Sequence, residues 1–312
     1  MYDNPTKISV ILITYNQEKV IGRAIDSVLC QKEYVYEIII GDDCSTDNNW
    51  EIITSYKKKY PDIIKPIRNE KNLGIFGNIE NLYDKLSGDL VFFLSGDDVF
   101  CDGLFKKTIE TIKKKSIDYK NELFAIYFDH RIVFADKRPN YKFSNSLIVK
   151  GLNPVRLKIR NLISVRTSCV SVNVLQKFTQ IRKDIGIFAD GLIDIQQMLY
   201  SEKNYYCKYV GSIYNAGIGV SVNVNTKDRA KSYLMYLNEL QTILKLCHKD
   251  NLRVEYYKYQ TLFFLNPSIY NFSKTLINYF ASTDLSFGFK GLQIFDLFKF
   301  ILRALSILPI KI

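Results

Sequence analysis

The chain has 312 residues, 47% of them hydrophobic, which suits one large domain or a domain with an appendage built on a sizeable core. Its formal net charge is +11, a balance that favours acidic partners, yet no RNP signature or zinc finger is present and nucleic acid is not an expected ligand. Two histidines and six scattered cysteines without a CxxC pair argue against a zinc site, a disulfide framework and a Ser-His or Cys-His nucleophile, leaving acid–base chemistry to carboxylates.

The first hundred residues alternate strand and helix signals. KISVILIT (7–14) is a β-branched apolar run, and Val20, Ile21, Ala24, Ile25, Val28 and Leu29 then recur at helical spacing. YEIII (36–40) is a second strand. Asp47 is placed to cap a helix carrying Trp50, Ile53 and Tyr56, and IIKPIR (63–68) is a third strand whose Pro66 suits an edge. Ile79, Leu82, Tyr83 and Leu86 mark a short helix, and DLVFFLS (89–95) follows as a strand. This alternation predicts a mostly parallel sheet covered by helices. Further on, 124–134, 169–175 and 205–215 read as strands, with His130 at a strand end. Leu192, Ile195, Met198 and Leu199 mark a helix that Asp190 can cap. From Lys227 the pattern turns helical, with Tyr233, Tyr236, Leu237, Leu240, Ile243 and Leu244 in a stripe, so an α/β domain is expected over 1–225 and a helical region over 226–312.

Ligands of parallel α/β sheets bind outside the carboxyl ends of the strands. Three predicted strands end there in polar residues: Thr14-Tyr15-Asn16, Asp42-Asp43 and Asp97-Asp98. Adjacent acids repel unless positive charge is supplied, and magnesium or manganese supplies it to one or two carboxylates together with substrate phosphates. The plainer alternative is an acidic turn with one acid capping a helix.

ISVILITYNQ, EIIIGDDCSTD, EKNLG and LSGDD occur in this order. Together they resemble glycosyltransferase family 2, clearly over about the first hundred residues and more faintly to about residue 220. The resemblance implies a GT-A fold (a Rossmann-like sheet flanked by helices) and inverting transfer of a sugar from a nucleotide-sugar donor to a glycan or lipid-linked hydroxyl. It implies that Ile13, Thr14, Tyr15 and Asn16 frame the nucleotide. Asp43 would accept from the imino N–H of a uracil or thymine, and Asn72 and Gly74 would close over it. Asp97 would accept from the ribose hydroxyls, and Asp98 would ligate a divalent cation, Mn2+ or Mg2+. The catalytic base of the family matches Asp190, with Asp194 one helical turn on as the alternative; helix-cap or solvated-face roles stand beside both. The Glu expected before Asp190 is Ala189, and 214–223 lacks the Arg or His that contacts donor phosphate in the family, a contact left to Arg166, to Lys227 or to neither.

The segment 291–308 carries Gln293, Asp296, Lys299, Arg303 and Ser306 on one narrow stripe of an otherwise apolar helix, which suits burial or a flat seat in a membrane interface. With no basic start leading into a long apolar stretch, and no uncharged apolar run long enough to span a bilayer, the expectation is a cytoplasmic enzyme of surface-polysaccharide assembly, peripheral on an anionic membrane face. Two rivals stand: a nucleotidyltransferase, which would need a Gly-rich basic loop where ITYNQEK stands, and a nucleotide-binding scaffold that has lost turnover. A dinucleotide oxidoreductase is weaker still, since no GxGxxG follows the first strand.

Overall fold

The structure is a computed structural model describing residues 6–136, 138–150, 153–159, 163–178, 188–218, 226–246, 252–281 and 300. The chain divides into two compact units, 1–222 and 223–312.

The first unit opens with β1 (Ile8–Thr14), α1 (Ile21–Leu29), β2 (Val35–Asp42), α2 (Asn49–Lys59), β3 (Ile64–Arg68), α3 (Gly74–Tyr83) and β4 (Leu90–Ser95). It continues through β5 (Val99–Phe100), α4 (Leu104–Lys115), β6 (Phe124–Phe134), β7 (Tyr141–Phe143), α5 (Pro154–Ile159), β8 (Ser168–Ser171), α6 (Val172–Leu175), α7 (Ala189–Tyr200) and β9 (Lys203–Ala216). One sheet runs in the order β3-β2-β1-β4-β8-β6-β9-β5, with β7 paired to β6. The stretch β3-β2-β1-β4 is parallel, as alternating strands and helices require, and its central strands β1 and β2 are almost wholly buried. Beyond β4 the sheet is mixed: β8 lies antiparallel to both β4 and β6, while β6 and β9 are parallel. Pro66 sits on β3 at the sheet's border, where a missing N–H costs no ladder bond.

The core stacks α1 and α4 residues on the apolar strands, and aromatic rings join them. Phe92 of β4 meets Phe105 of α4 at 5.2 Å and Phe100 of β5 at 5.7 Å, both edge to face. Three local readings change. The strand expected over 169–175 ends at Ser171 and turns into α6. Asp190 lies inside the first turn of α7, with Phe188 at the cap. His130 is fully buried within β6, stacked on Phe143 at 5.3 Å. Neither of its ring nitrogens has a hydrogen-bond partner among the described residues, and burial first, then the Arg166 charge, hold its pKa down at about 4.

The second unit contains α8 (Thr226–Leu246), α9 (Leu252–Leu265) and α10 (Ile269–Ala281), with α9 packed on both others. Leu237, Leu240, Ile243 and Leu244 of the expected stripe are buried. Apart from Phe300, which packs on Phe263 and Phe272, the segment 291–308 lies outside the described residues.

Asn49, fully buried at the start of α2, donates to Asp42 Oδ1 at 2.7 Å and lies 3.2 Å from the Thr14 hydroxyl, so it joins the ends of β1 and β2. Asn49→Ala leaves a buried carboxylate oxygen short of a donor and is expected to cost about 1–3 kcal/mol in urea unfolding; an unchanged midpoint would refute that joint.

Candidate active site

The parallel register sets the frame. Ile13 lies opposite Gly41 on one side and Ser95 on the other, and Thr14 lies opposite Asp42. The Asp43 N–H donates to the Thr14 carbonyl at 3.0 Å, and the Gly96 N–H donates to the Ile13 carbonyl at 2.9 Å. Ile13, Thr14, Asp43 and Asp97 therefore meet at one rim although they come from three distant stretches. The approach at Gly96 depends on the missing side chain, since a Cβ there would lie 2.4 Å from Gln17 Oε1 and 3.0 Å from Thr14 Cβ.

The paired acids after β2 divide their work. Asp42, fully buried, turns inward to Asn49 Nδ2, to the Ser45 N–H at 3.1 Å and to Arg68 Nε at 3.4 Å. Asp43 turns to the loop before α3: its Oδ1 accepts from Asn69 Nδ2 and the Leu73 N–H, both at 2.8 Å, and its Oδ2 accepts from the Gly74 N–H at 2.9 Å. A carboxylate has about four acceptor positions, so among the described residues one position of Asp43 is left untaken. Asn72 Oδ1 also accepts from the Gly74 N–H, at 3.0 Å, and Gly74 has φ of 74°, a conformation that glycine adopts without penalty. Tyr15 follows β1 half-buried, and Asn16, at φ 52°, clasps the loop after β2: its N–H donates to Ser45 Oγ at 2.9 Å and its Oδ1 accepts from the Thr46 N–H at 2.8 Å.

After β4, the Ser95 hydroxyl donates to Asp97 Oδ1 at 2.5 Å. Asn215, near the end of β9, donates its N–H to Asp98 Oδ1 at 2.9 Å and its Nδ2 to the Asp97 carbonyl at 2.8 Å. Burial first, and the Asp97 charge second, push the Asp98 carboxyl up to about 7, against the pull of the Asn215 N–H and of Arg166. The Asp190 charge acts on Asp98 in the same upward sense, as the smallest of these influences.

Asp190 is half exposed; its Oδ1 accepts from the Gly191 N–H at 2.8 Å and its Oδ2 from Arg166 Nη1 at 3.1 Å. Asp194 is enclosed instead, with Oδ2 2.6 Å from Lys158 Nζ, and burial pushes it up to about 6. The Arg166 guanidinium lies 4.1 Å from the centre of the Tyr214 ring. Lys227 belongs to the first turn of α8, in the second unit. Sequence reasoning passed over Tyr214 and Asn215, which look like ordinary strand residues, and left Arg166 undecided, since nothing in its neighbours fixes its direction.

Among the described residues no three His, Cys, Asp or Glu side chains converge to hold a metal ion. The oxygens present are those of Asp98 with Asp97 beside it. That set fits a hard cation that completes its shell with water and substrate phosphate, and does not fit a permanently caged one.

The model of glycosyl transferase family 2 matches residues 9–144, the stretch that holds all three strand ends. These residues form a family 2 glycosyltransferase domain. The chain is 28% identical over 243 residues to the GalNAc(5)-diNAcBac-PP-undecaprenol beta-1,3-glucosyltransferase of Campylobacter jejuni, covering 77% of this chain and 74% of that one. Other curated relatives match less of their length: an uncharacterized Mycobacterium tuberculosis protein is 29% identical over 161 residues, 51% of this chain and 45% of the relative. Among solved structures, S. aureus TarS in complex with UDP-GlcNAc superposes with a TM-score of 0.60 at 18% identity, over 87% of this chain and 79% of that one. The Pyrobaculum calidifontis mannosyltransferase PcManGT, in complex with GDP-Man and Mn2+, superposes at 0.55 and 12% identity, over 97% and 81%. The family 2 domain thus has the expected GT-A architecture, with a helical region following it.

A carboxyl held up at about 7, against an ordinary 3.8, favours the fold below about pH 4, and that contribution is lost as pH rises through 7. In metal-free buffer Asp98→Asn escapes the loss. It is expected to melt above wild type at pH 8 and nearer to it at pH 5; equal melting at pH 8 would refute the strain at Asp98.

Proposed function

We propose that this chain is an inverting, metal-dependent glycosyltransferase. It moves a sugar from a UDP- or dTDP-linked donor to a hydroxyl of a glycan or lipid-linked acceptor in surface-polysaccharide assembly. One observation carries the reading: the strand ends bearing Asp43 and Asp97-Asp98 share a rim, and Arg166, bonded to Asp190, lies over Tyr214 beside the Asn215 that binds Asp98. TarS with UDP-GlcNAc and PcManGT with Mn2+ support the donor class and the cation, and the Campylobacter relative, named for a PP-undecaprenol substrate, supports the acceptor class.

In this reading Ile13, Thr14, Tyr15 and Asn16 frame the nucleotide, with Asn72 and Gly74 beside it. The remaining acceptor position of Asp43 takes the imino N–H of the base, and Asp97 takes the ribose hydroxyls. Asp98 is the ligand for Mn2+ or Mg2+, which when bound offsets the negative charge that grows on the departing diphosphate. Asp190 takes the proton of the acceptor hydroxyl. The acceptor oxygen bonds to the anomeric carbon as the carbon–phosphate-oxygen bond breaks, the bonding pair leaves with the nucleoside diphosphate, and the sugar inverts. Asp194 suits this task less, because its carboxylate is spent on Lys158. The net charge of +11 and the exposed Tyr270, Ile277 and Phe280 on α10 support attachment to an anionic membrane surface.

The test joins binding to turnover. UDP or dTDP should raise the melting temperature with Mn2+ or Mg2+ and not with chelator, and Asp98→Asn should abolish that gain; metal-independent stabilisation would remove Asp98 from the site. A panel of UDP-glucose, UDP-galactose, UDP-N-acetylglucosamine, dTDP-rhamnose and GDP-mannose is then assayed for released nucleoside diphosphate. Asp190→Asn should keep UDP affinity and lose about 10²–10⁴-fold in turnover; a fully active variant would move the base elsewhere. Tight UDP binding by a wild type that releases nothing from any donor would favour the scaffold reading.

A further inference from the structure

Arg166 stands between the two acidic stations of the rim. It donates to Asp190 Oδ2 at 3.1 Å, lies over the Tyr214 ring at 4.1 Å, and its charge reaches Asp98. Its support is built on strands. The Thr167 carbonyl accepts from the Phe128 N–H of β6 at 3.2 Å, the Thr167 hydroxyl bonds to Ser212 of β9, and Val165 is buried. Tyr214, beneath the guanidinium, precedes Asn215, which holds both Asp97 and Asp98.

Among the described residues Asp190 has no such support of its own. It rides on the first turn of α7, half exposed, and its other hydrogen bond among the described residues is from the N–H of its own neighbour, Gly191. An arginine face-stacked on an aromatic ring is pre-organised, so it gives up little freedom in making a hydrogen bond, and a lysine could not reproduce both contacts.

We propose that Arg166 is a positioning residue for the proton acceptor: it fixes the carboxylate of Asp190 relative to the Asp97-Asp98 pair, using Tyr214 and Thr167 as its base. This rests on the reading of Asp190 as the base. Without Arg166 the Asp190 carboxylate keeps, among the described residues, only the bond from the Gly191 N–H, and a misplacement on the order of 1 Å is worth about 10²-fold in rate.

The experiment compares Arg166→Met and Arg166→Lys with wild type in the full chain, using the panel donor that wild type turns over fastest, and measures UDP affinity by calorimetry with Mn2+. The expected result is a kcat roughly 10²-fold lower in Arg166→Met, partly recovered in Arg166→Lys, with donor KM and UDP Kd held within about threefold. A fall in UDP affinity matching the fall in kcat/KM would make Arg166 a donor ligand and overturn the proposal. An undiminished kcat in Arg166→Met, with Asp190→Asn inactive, would overturn it while leaving Asp190 as base. A wild type that turns over no donor would overturn both. If Arg166→Met melts early, the kcat–KM split in Arg166→Lys decides.

Discussion

Everything at the rim depends on keeping like charges together in a half-dry place. Asp97 and Asp98 follow β4 after Gly96, and Asn215 binds both, through the Asp97 carbonyl and the Asp98 carboxylate. Burial raises the cost of ionising Asp98, and Asp97 raises it again. The chain answers in part, with the Asn215 N–H and the Arg166 charge, and these only reduce the imbalance. In the proposed function a diphosphate arriving with a cation would complete the answer, because it would bring the positive charge and the oxygens that the protein withholds. The metal chemistry proposed here is then a property of the complex more than of the free protein.

The rest of the first unit serves that arrangement by making its frame stiff. Asp42 faces inward and ties α2 to β2, so that its neighbour Asp43 is free to face the loop before α3. The loops after β1 and β2 are laced through Asn16, Ser45 and Thr46, and through Glu18, whose carboxylate accepts from both the N–H and the side-chain amide of Asn48. None of these bonds is worth much alone. Together they hold three loop segments in one register, which a ligand spanning them requires.

The legible part of this fold was the part whose residues obey one period. β1, β2 and β4 are apolar runs stopped by polar residues, and the helices between them have clear spacing, so their order and the shared rim followed from the sequence. Beyond residue 95 the strands pair with partners far along the chain, and no local pattern says that β8 will insert between β4 and β6. Val172 to Leu175 misled because β-branched residues tolerate a helical turn when packing favours it. His130 was misplaced because a histidine inside a strand is indistinguishable, in sequence, from one at its end. Arg166 was named only as one candidate for a donor-phosphate contact, since its partners Asp190 and Tyr214 lie 24 and 48 positions away and only tertiary structure joins them. Asp194 is the converse case: it stood one helical turn after Asp190 as the alternative base, and its ion pair with Lys158 of α5 sets it apart.

The two borders of the sheet carry a further consequence. At one, β3 presents Pro66 between Lys65 and Arg68 within a five-residue strand; at the other, β5 is only two residues long. A strand from a neighbouring molecule finds at the first a residue with no hydrogen to offer and charges to desolvate, and at the second too short a ladder to grip. A nine-stranded sheet would otherwise be an invitation to fibrils, and its margins are shaped to refuse it.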